Sequence, residues 1–331
     1  MIISRTPFRI SFAGGGTDLQ SYYLKEDGQV ISATIDKYIY VAVKRQTAIA
    51  EYKFRINWSK VEFKNRVDDI EHPIVREALK MMKIDFPLEI STFADIPAKT
   101  GLGSSSAFAV GLLNTLYALQ GKMVTKGNLA AKAAELEIDV LERKIGKQDH
   151  YSAAYGNINV FGFHKNGHVS LDPVFYRPEI KTAIENHLML FYTAIKRDAS
   201  EILKVQSKNT ANNHKILSQM KNQVNVIKKI LHSGENLNKF GQVLDQGWKL
   251  KKSLADTISS SEIDKYYENA IKSGAIGGKL LGAGGGGFLL FYVEPKHQKN
   301  LKKNLSDLYE LPFSFDTGGG SRITYYDQEV V

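Results

Sequence analysis

The segment from Ile96 to Leu113, IPAKTGLGSSSAFAVGLL, has the residue types of a phosphate-binding loop. Glycines at 101 and 103 let the backbone approach a ligand closely, and the three serines that follow open an apolar helix. A helix start presents free N–H groups and the positive end of the helix dipole, and both favour a bound phosphate. The serine hydroxyls can add hydrogen bonds or bind a magnesium ion. A serine-capped helix after a glycine turn is the structural alternative.

Two more glycine-rich segments lie far from this loop, FAGGGTDL at 12–19 and GAGGGGF at 282–288. Each lies beside an apolar strand, where glycine weakens the element and linker flexibility has no use. Close approach of the backbone to a ligand is the better explanation. No GK[ST] ends the 96–113 loop and no GxGxxG follows the first strand, which argues against a Walker-type NTPase and a dinucleotide-binding dehydrogenase.

The elements that position these loops change in character along the chain. β-Branched and aromatic residues predict strands over 2–14, 30–45, 53–58 and 86–95, with a helix near 72–82. From residue 104 the pattern favours helices, over 104–119 and over a second segment that Thr125 caps and the Gly146 region ends. Later segments are predicted as strands over 157–163 and 187–195, two or three helices over 199–273, an apolar strand after 287 and a helix over 296–308.

Composition limits the class of protein. The chain has 331 residues, 43% apolar and 24% charged, which is ordinary for a soluble globular protein of one large or two smaller domains. No stretch approaches the ~20 apolar residues of a membrane span, and the start has no signal-peptide pattern. The chain has no cysteine, which excludes disulfides, thiolate metal sites and a cysteine nucleophile. We therefore expect a cytoplasmic protein without a membrane partner.

The net charge of +9 is concentrated between Lys196 and Lys252, where twelve basic and four acidic side chains lie. Three interpretations are open: solvated helix faces, steering of an anionic small molecule, and a nucleic-acid surface. The lysines fall among helical patterns with few aromatic residues nearby, which favours solvated faces over nucleic acid.

The motifs PFRISFAGGGTD, PAKTGLGSSSA and KLLGAGGGGF follow one another in this order. Together they resemble the GHMP kinases, the family of galactokinase, homoserine kinase, mevalonate kinase and phosphomevalonate kinase, over about residues 3–326. The resemblance implies an α+β fold. Its parts are an N-terminal domain like ribosomal protein S5 domain 2, over 1–178, and a ferredoxin-like C-terminal domain, over 179–331. ATP is expected between them on the GLGSSSA loop.

Other segments narrow the resemblance. GGGTD, GKQDHYSAAYGN, FYTAIKRDASEIL and GWKLKKSLADTIS look like the D-glycero-D-manno-heptose 7-phosphate kinases, which form a 1,7-bisphosphate for activated-heptose synthesis. The sugar-kinase half of fucokinases shares much of this pattern and is the second interpretation. A sugar-phosphate substrate is therefore expected, for a monomer or a homodimer that binds no nucleic acid.

Site roles follow from the resemblance. Asp149 of GKQDH matches the catalytic aspartate, which either takes a proton from the acceptor hydroxyl or positions it by charge. Arg9 matches a basic residue that keeps this carboxylate ionised and stabilises the transferring phosphoryl group; a surface ion pair is its alternative. Ser105 and Glu137 match the Mg²⁺ ligands, whereas Glu135 and Asp139 are expected to face solvent.

Binding residues complete the expected site. The nucleotide contacts are expected from Pro97, Lys99, Gly101, Leu102, Gly103, Ser104, Ser105 and Ser106. Asp18 matches the carboxylate that binds sugar hydroxyls, and Gly284 to Gly286 would let the third motif lie against the first motif and the substrate. The remaining substrate contacts are expected from Gly15, Gly16, Thr17, Lys279, Arg197, Arg322, Gly284 and Gly285.

Three other functions compete with a sugar-phosphate kinase. A diphosphomevalonate decarboxylase would share the fold, but the sugar-type GGGTD and GKQDH segments argue against it. A non-catalytic sugar sensor would tend to lose motif residues, and this chain retains Asp149, Glu137 and all three loops. A nucleic-acid binder has no recognition motif to support it, only the basic composition.

Overall fold

The computed structural model describes residues 1–47, 49–195, 202, 209–210 and 212–327. Its strands, in chain order, are β1 (Ile2–Ala13), β2 (Gly28–Arg45), β3 (Phe54–Asn57), β4 (Val61–Lys64), β5 (Leu88–Ala94), β6 (Ile158–Phe163), β7 (Val169–Pro173), β8 (Leu188–Tyr192), β9 (Ala275–Leu280), β10 (Phe288–Val293), β11 (Tyr309–Glu310) and β12 (Arg322–Tyr326). Its α-helices are α1 (Gln20–Tyr23), α2 (Pro73–Met81), α3 (Ser104–Leu119), α4 (Lys126–Ala134), α5 (Gln148–Tyr155), α6 (Pro178–His187), α7 (His214–Ser233), α8 (Asn238–Lys252), α9 (Ser261–Lys272) and α10 (Pro295–Asn304).

The strands form two sheets, which confirms the α+β class. The first has the order β12-β1-β2-β5-β3-β4, with β6 on the remaining part of β2 and β7 beyond it. Its pairs are antiparallel except β3 with β5. The second sheet, β11-β8-β10-β9, is antiparallel. β12 returns from the end of the chain to pair with β1 in the first sheet, and the division into domains at residue 178 stays a prediction.

Helices from both halves of the chain pack on β1 and β2. α3 and α7 contact both strands, and β1 is buried throughout from Thr6 to Ala13. Val224 of α7 and Phe240 of α8 belong to the same buried cluster as the strand residues. The strand that carries Arg9 is therefore the most enclosed part of the first sheet. Among the described residues, no helix combines the length and hydropathy needed to cross a membrane.

The helix after Thr125 is shorter than its sequence predicts. Thr125 caps α4 as expected, since its side chain accepts a hydrogen bond from Asn128 N. The helix then widens into a π-helical turn over Glu135–Val140 and ends there, well before Gly146. Wide turns of this kind are common at functional sites. Here the turn directs Glu137 into the interior, and the segment that follows leads into α5, a helix that the strand and helix patterns did not predict.

The third glycine segment packs directly on the phosphate loop. A Cβ atom at Gly282 would lie 2.5 Å from the Cα atom of Gly101, and one at Gly287 would lie 2.3 Å from the carbonyl oxygen of Thr100. Glycine is required at both places because two backbones meet without room for a side chain. This contact joins the second sheet to the start of α3.

We predict that Gly282→Ala destabilises the protein more than Gly121→Ala. Both glycines have left-handed φ angles, +73° and +66°, so alanine adds about 1 to 2 kcal/mol of backbone strain at each. A Cβ at Gly121 would meet nothing within 4 Å, whereas at Gly282 it overlaps the loop backbone. Urea unfolding should show at least ~1 kcal/mol of extra loss for Gly282→Ala. Equal losses would contradict the close contact of the two loops.

Candidate functional site

Arg9 and Asp149 form a bidentate ion pair at the centre of the site. Nε and Nη2 of Arg9 donate to the two carboxylate oxygens of Asp149 at 2.7 and 2.8 Å. Nη1 donates to the carbonyl oxygen of Gly101 at 2.7 Å. Arg9 is only 4% exposed, and the planar fork of a guanidinium fixes orientation as well as charge. One cation thus joins β1, the phosphate loop and the first turn of α5.

The predicted phosphate loop ends where α3 begins. Lys99, Gly101 and Gly103 have left-handed φ angles of +64°, +84° and +78°. Gly103 is the N-cap residue and no side chain caps the helix, so the serine-capped alternative is wrong. The three serines lie in the first turn of α3, where backbone N–H groups have no acceptor within the helix. A phosphate bound at this turn would satisfy those N–H groups.

Glu137 is fully buried and lies among three donors. Its Oε1 accepts hydrogen bonds from Ser105 Oγ at 2.6 Å and Arg143 Nη1 at 2.5 Å, and its Oε2 lies 2.8 Å from Nε2 of His150. Burial by itself would raise the pKa of Glu137, but hydrogen bonds from His150 and Ser105 and the charge of Arg143 lower it to about 2. The carboxylate is therefore ionised and held in a fixed orientation.

Asp18 lies where the first glycine segment meets α5. Its carboxylate accepts hydrogen bonds from Gly16 N at 3.0 Å and from Gln148 N at 3.2 Å, so it caps a helix whose own N-cap residue offers no side-chain bond. A Cβ at Gly146 would lie 1.8 Å from this carboxylate, which explains the glycine there. Burial raises the pKa of Asp18, and the negative charge of Asp149 raises it further. The two carboxylates therefore share one site.

The predicted Lys279 is also part of the site. It is 7% exposed, and its Nζ donates to the carbonyl oxygen of Phe12 at 3.0 Å. This bond links β9 to the first motif. Gly284 and Gly285 lie against the backbone carbonyl of Ile258, and the expected contact of Gly284 to Gly286 with the first motif and the substrate stays a prediction.

For three other predicted substrate residues, the described contacts give no direct support for a substrate role. Thr17 is fully buried, and its hydroxyl donates to the carbonyl oxygens of Gly14 and Gln29, so it shapes the turn. Arg322 is exposed at the start of β12, and within the described ranges no hydrogen bond or ion pair joins it to the residues around Asp149. Arg197 lies outside the described residues. The substrate roles of these residues stay predictions.

Two polar side chains beside Asp18 were not predicted. Ser11 Oγ and Gln148 Oε1 are buried and have no hydrogen-bond partner among the described residues. Both side chains approach Gly15, within 3.9 and 3.8 Å of where its Cβ would lie. Buried polar atoms normally have partners, so this pair is suited to a hydroxyl-rich ligand. Gln148 directly precedes Asp149 in the GKQDH motif, and this position is the sequence feature from which Gln148 could have been predicted as a site residue.

Comparison with known proteins identifies the family of this arrangement. Residues 73–157 match the family model of the GHMP kinases N terminal domain, and residues 226–311 match that of the GHMP kinases C terminal. The chain is 31% identical to a D-glycero-alpha-D-manno-heptose 7-phosphate kinase of Campylobacter jejuni, over 96% of this chain and 97% of that protein. It is 26% identical to an L-fucokinase/L-fucose-1-P guanylyltransferase of Bacteroides fragilis, over 93% of this chain and 36% of that protein.

A solved structure shows the same fold. The crystal structure of a D-glycero-D-manno-heptose 1-phosphate kinase from Bacteroides thetaiotaomicron superposes with a TM-score of 0.81. The superposition covers 99% of this chain and 100% of that one at 23% identity. The fold predicted from the three motifs is confirmed.

We predict that Glu137→Gln lowers the free energy of unfolding by about 3 kcal/mol, because it leaves His150 and Arg143 beside a neutral amide. Glu135→Gln is the matched control, since Glu135 is two residues away and pairs with Lys132 at the surface. The control should change by less than about 0.5 kcal/mol. Urea unfolding in buffer with EDTA measures both, and equal effects would contradict the buried cluster around Glu137.

Proposed function

Since the chain belongs to the GHMP kinase family and is a phosphotransferase, we propose that it transfers the γ-phosphoryl group of ATP to the C1 hydroxyl of D-glycero-D-manno-heptose 7-phosphate. The observation that carries this proposal is the Arg9–Asp149 pair, which places an oriented carboxylate beside the phosphate loop. A Cβ at Gly103 would lie 3.3 Å from the Asp149 carboxylate. A hydroxyl bound at Asp149 would therefore lie next to a phosphate bound at the start of α3.

Each residue then has a definite task. Each Asp149 oxygen accepts one hydrogen bond from Arg9 and keeps a lone pair for the acceptor hydroxyl. As the C1 oxygen bonds to the γ-phosphorus and the bond to the ADP oxygen breaks, Asp149 holds that hydroxyl and receives its proton. Arg9 stabilises the charge on the transferring group. Asp18, Ser11 and Gln148 contact the sugar hydroxyls.

Mg²⁺ is proposed at Ser105 and Glu137. Their side-chain oxygens lie 2.6 Å apart, and both are the hard donors that Mg²⁺ prefers. In the described part of the chain no three His, Cys, Asp or Glu side chains lie together as a metal centre, so phosphate and water oxygens would complete the shell. When bound, the ion would neutralise negative charge on the nucleotide phosphates. Nη1 of Arg143 contacts both protein oxygens, so this side chain would have to give way to an ion held there.

We predict that Asp149→Asn lowers kcat at least ~100-fold while ADP binding is retained, because the amide cannot accept the hydroxyl proton. Asp172→Asn is the control, since Asp172 forms a surface ion pair with Lys228 and should leave kcat unchanged. A coupled assay of ADP release measures kcat, and calorimetry measures ADP binding. Near-normal turnover of Asp149→Asn would refute the catalytic assignment.

The substrate is tested with heptose 7-phosphate, free heptose, mannose 6-phosphate and fucose under one assay. Two charge-assisted contacts to the sugar phosphate are worth about 1.5 to 3 kcal/mol each, so kcat/KM for free heptose should be at least ~100-fold lower. If fucose or free heptose is the best substrate, the heptose-phosphate proposal fails and a fucokinase-like activity replaces it. If ATP binds and no sugar reacts, the proposed kinase activity is wrong and a non-catalytic sugar sensor becomes the better interpretation.

A further inference from the structure

Two lysine side chains are buried beside the phosphate loop with no carboxylate partner in the described ranges. Lys251, in the last turn of α8, is 7% exposed, and its Nζ donates to the carbonyl oxygens of Leu280 at 3.0 Å and Gly282 at 2.6 Å. Lys279 is equally buried and donates to a single carbonyl, that of Phe12. Lysine is almost never buried unless it is paired, so these two ammonium groups need an explanation.

Both lysines lie near Arg9 and its hydrogen-bond partners Asp149 and Gly101. Gly282, which accepts a hydrogen bond from Lys251, packs on Gly101, and the carbonyl of Gly101 accepts a hydrogen bond from Arg9. Burial, together with the positive charge of Arg9, lowers the pKa of Lys279 to about 7. Burial also lowers the pKa of Lys251 well below its usual value, and the charges of Lys279 and Arg9 add to that. The three basic groups are therefore close enough for their charges to interact unfavourably.

Hydrogen-bond capacity remains unused at both ammonium groups. An ammonium has three donors, of which Lys279 uses one and Lys251 uses two. Three N–H bonds are left to point at a ligand. Asp149 already neutralises Arg9, so when both lysines are protonated their two positive charges have no opposite charge beside them among the described residues. A phosphoryl group carries nearly two negative charges and three acceptor oxygens. It therefore matches the charges of the two lysines and their three unused N–H donors.

We propose that Lys251 and Lys279 form a phosphoryl-binding site beside Arg9. The inference rests on the proposed function, in which two phosphoryl groups come near Asp149: the γ-phosphoryl group of ATP and the phosphate of the sugar. Both have the same chemistry, and the experiment distinguishes them. The competing role is structural, in which Lys251 and Lys279 only hold the carbonyls of the glycine segments in place.

The test uses Lys251→Met and Lys279→Met, which remove the charge and keep an unbranched apolar side chain one atom shorter. Lys252→Met is the matched control, because Lys252 is adjacent to Lys251 and pairs with Asp264 at 2.9 Å. Calorimetry measures binding of ADP, a non-hydrolysable ATP analogue, free heptose and heptose 7-phosphate to each variant. Thermal unfolding of the ligand-free variants is measured alongside.

We expect Lys251→Met and Lys279→Met each to lower the affinity for one ligand, the ATP analogue or heptose 7-phosphate, about 10- to 100-fold. The affinity for the matching ligand that lacks that phosphate, ADP or free heptose, should not change. Selective loss for the ATP analogue against ADP assigns the γ-phosphoryl group, and selective loss for heptose 7-phosphate against heptose assigns the sugar phosphate. Either result supports the site. Ligand-free unfolding temperatures should equal or exceed that of the control, since an unpaired buried charge is removed.

Two results would overturn the proposal. The first is that Lys251→Met and Lys279→Met bind all four ligands with the same affinities as Lys252→Met. The other is loss of folding, or a lower unfolding temperature with all affinities reduced alike, which assigns the structural role. The comparison of ADP with the ATP analogue does not depend on the sugar. If the unaltered protein binds neither heptose ligand, the proposed substrate is wrong. If the variants then also keep the normal ratio of affinities for ADP and the ATP analogue, the lysine site is refuted separately.

Discussion

The buried guanidinium of Arg9 is the interaction on which the rest of the site depends. It is fixed by a strand that is buried throughout from Thr6 to Ala13, and it donates two hydrogen bonds to Asp149 and one to Gly101. Asp149 is 23% exposed, so removing one partner costs less than the about 3 to 5 kcal/mol of a fully buried pair, and the positions of the loop and of α5 are tied to this cation. The proposed catalytic carboxylate, Asp149, and the proposed phosphate loop are therefore positioned by the same group.

The other charges of the site are compensated to different degrees. Glu137 is surrounded by donors, and its lowered pKa shows that its ionised form is stabilised. Asp18, Lys251 and Lys279 have pKa values shifted toward their neutral forms, which means that the ligand-free protein holds them at a cost in stability. In the proposed function, a substrate with several phosphate and hydroxyl groups would supply partners for these three side chains.

The loops could be predicted from sequence because glycine and serine give local signals. The positions of Arg9, Asp149, Ser105 and Glu137 followed from the family resemblance, and the structure brings them together. The partners of Glu137 could not be predicted, since Arg143 reaches it only through the π-helical turn and the irregular segment after it. That wide turn also explains why the predicted helix was too long.

Lys251 could not be distinguished from its neighbours by sequence. In KLKK, Lys249 and Lys252 pair with Asp245 and Asp264 at the surface, as the interpretation of solvated helix faces predicts. Lys251 faces inward instead, and only the packing of α8 on β9 decides this difference. The short strands β4 and β7 were not predicted from the sequence.

Phosphorus NMR of the product is a direct test of phosphoryl transfer to the C1 hydroxyl. With ATP and heptose 7-phosphate, we expect one new phosphorus resonance coupled to the anomeric proton, formed in equal amount with ADP, while the 7-phosphate resonance persists. A new phosphate on any other hydroxyl would contradict the placement of C1 at Asp149. ADP formed together with inorganic phosphate alone would contradict the transfer itself.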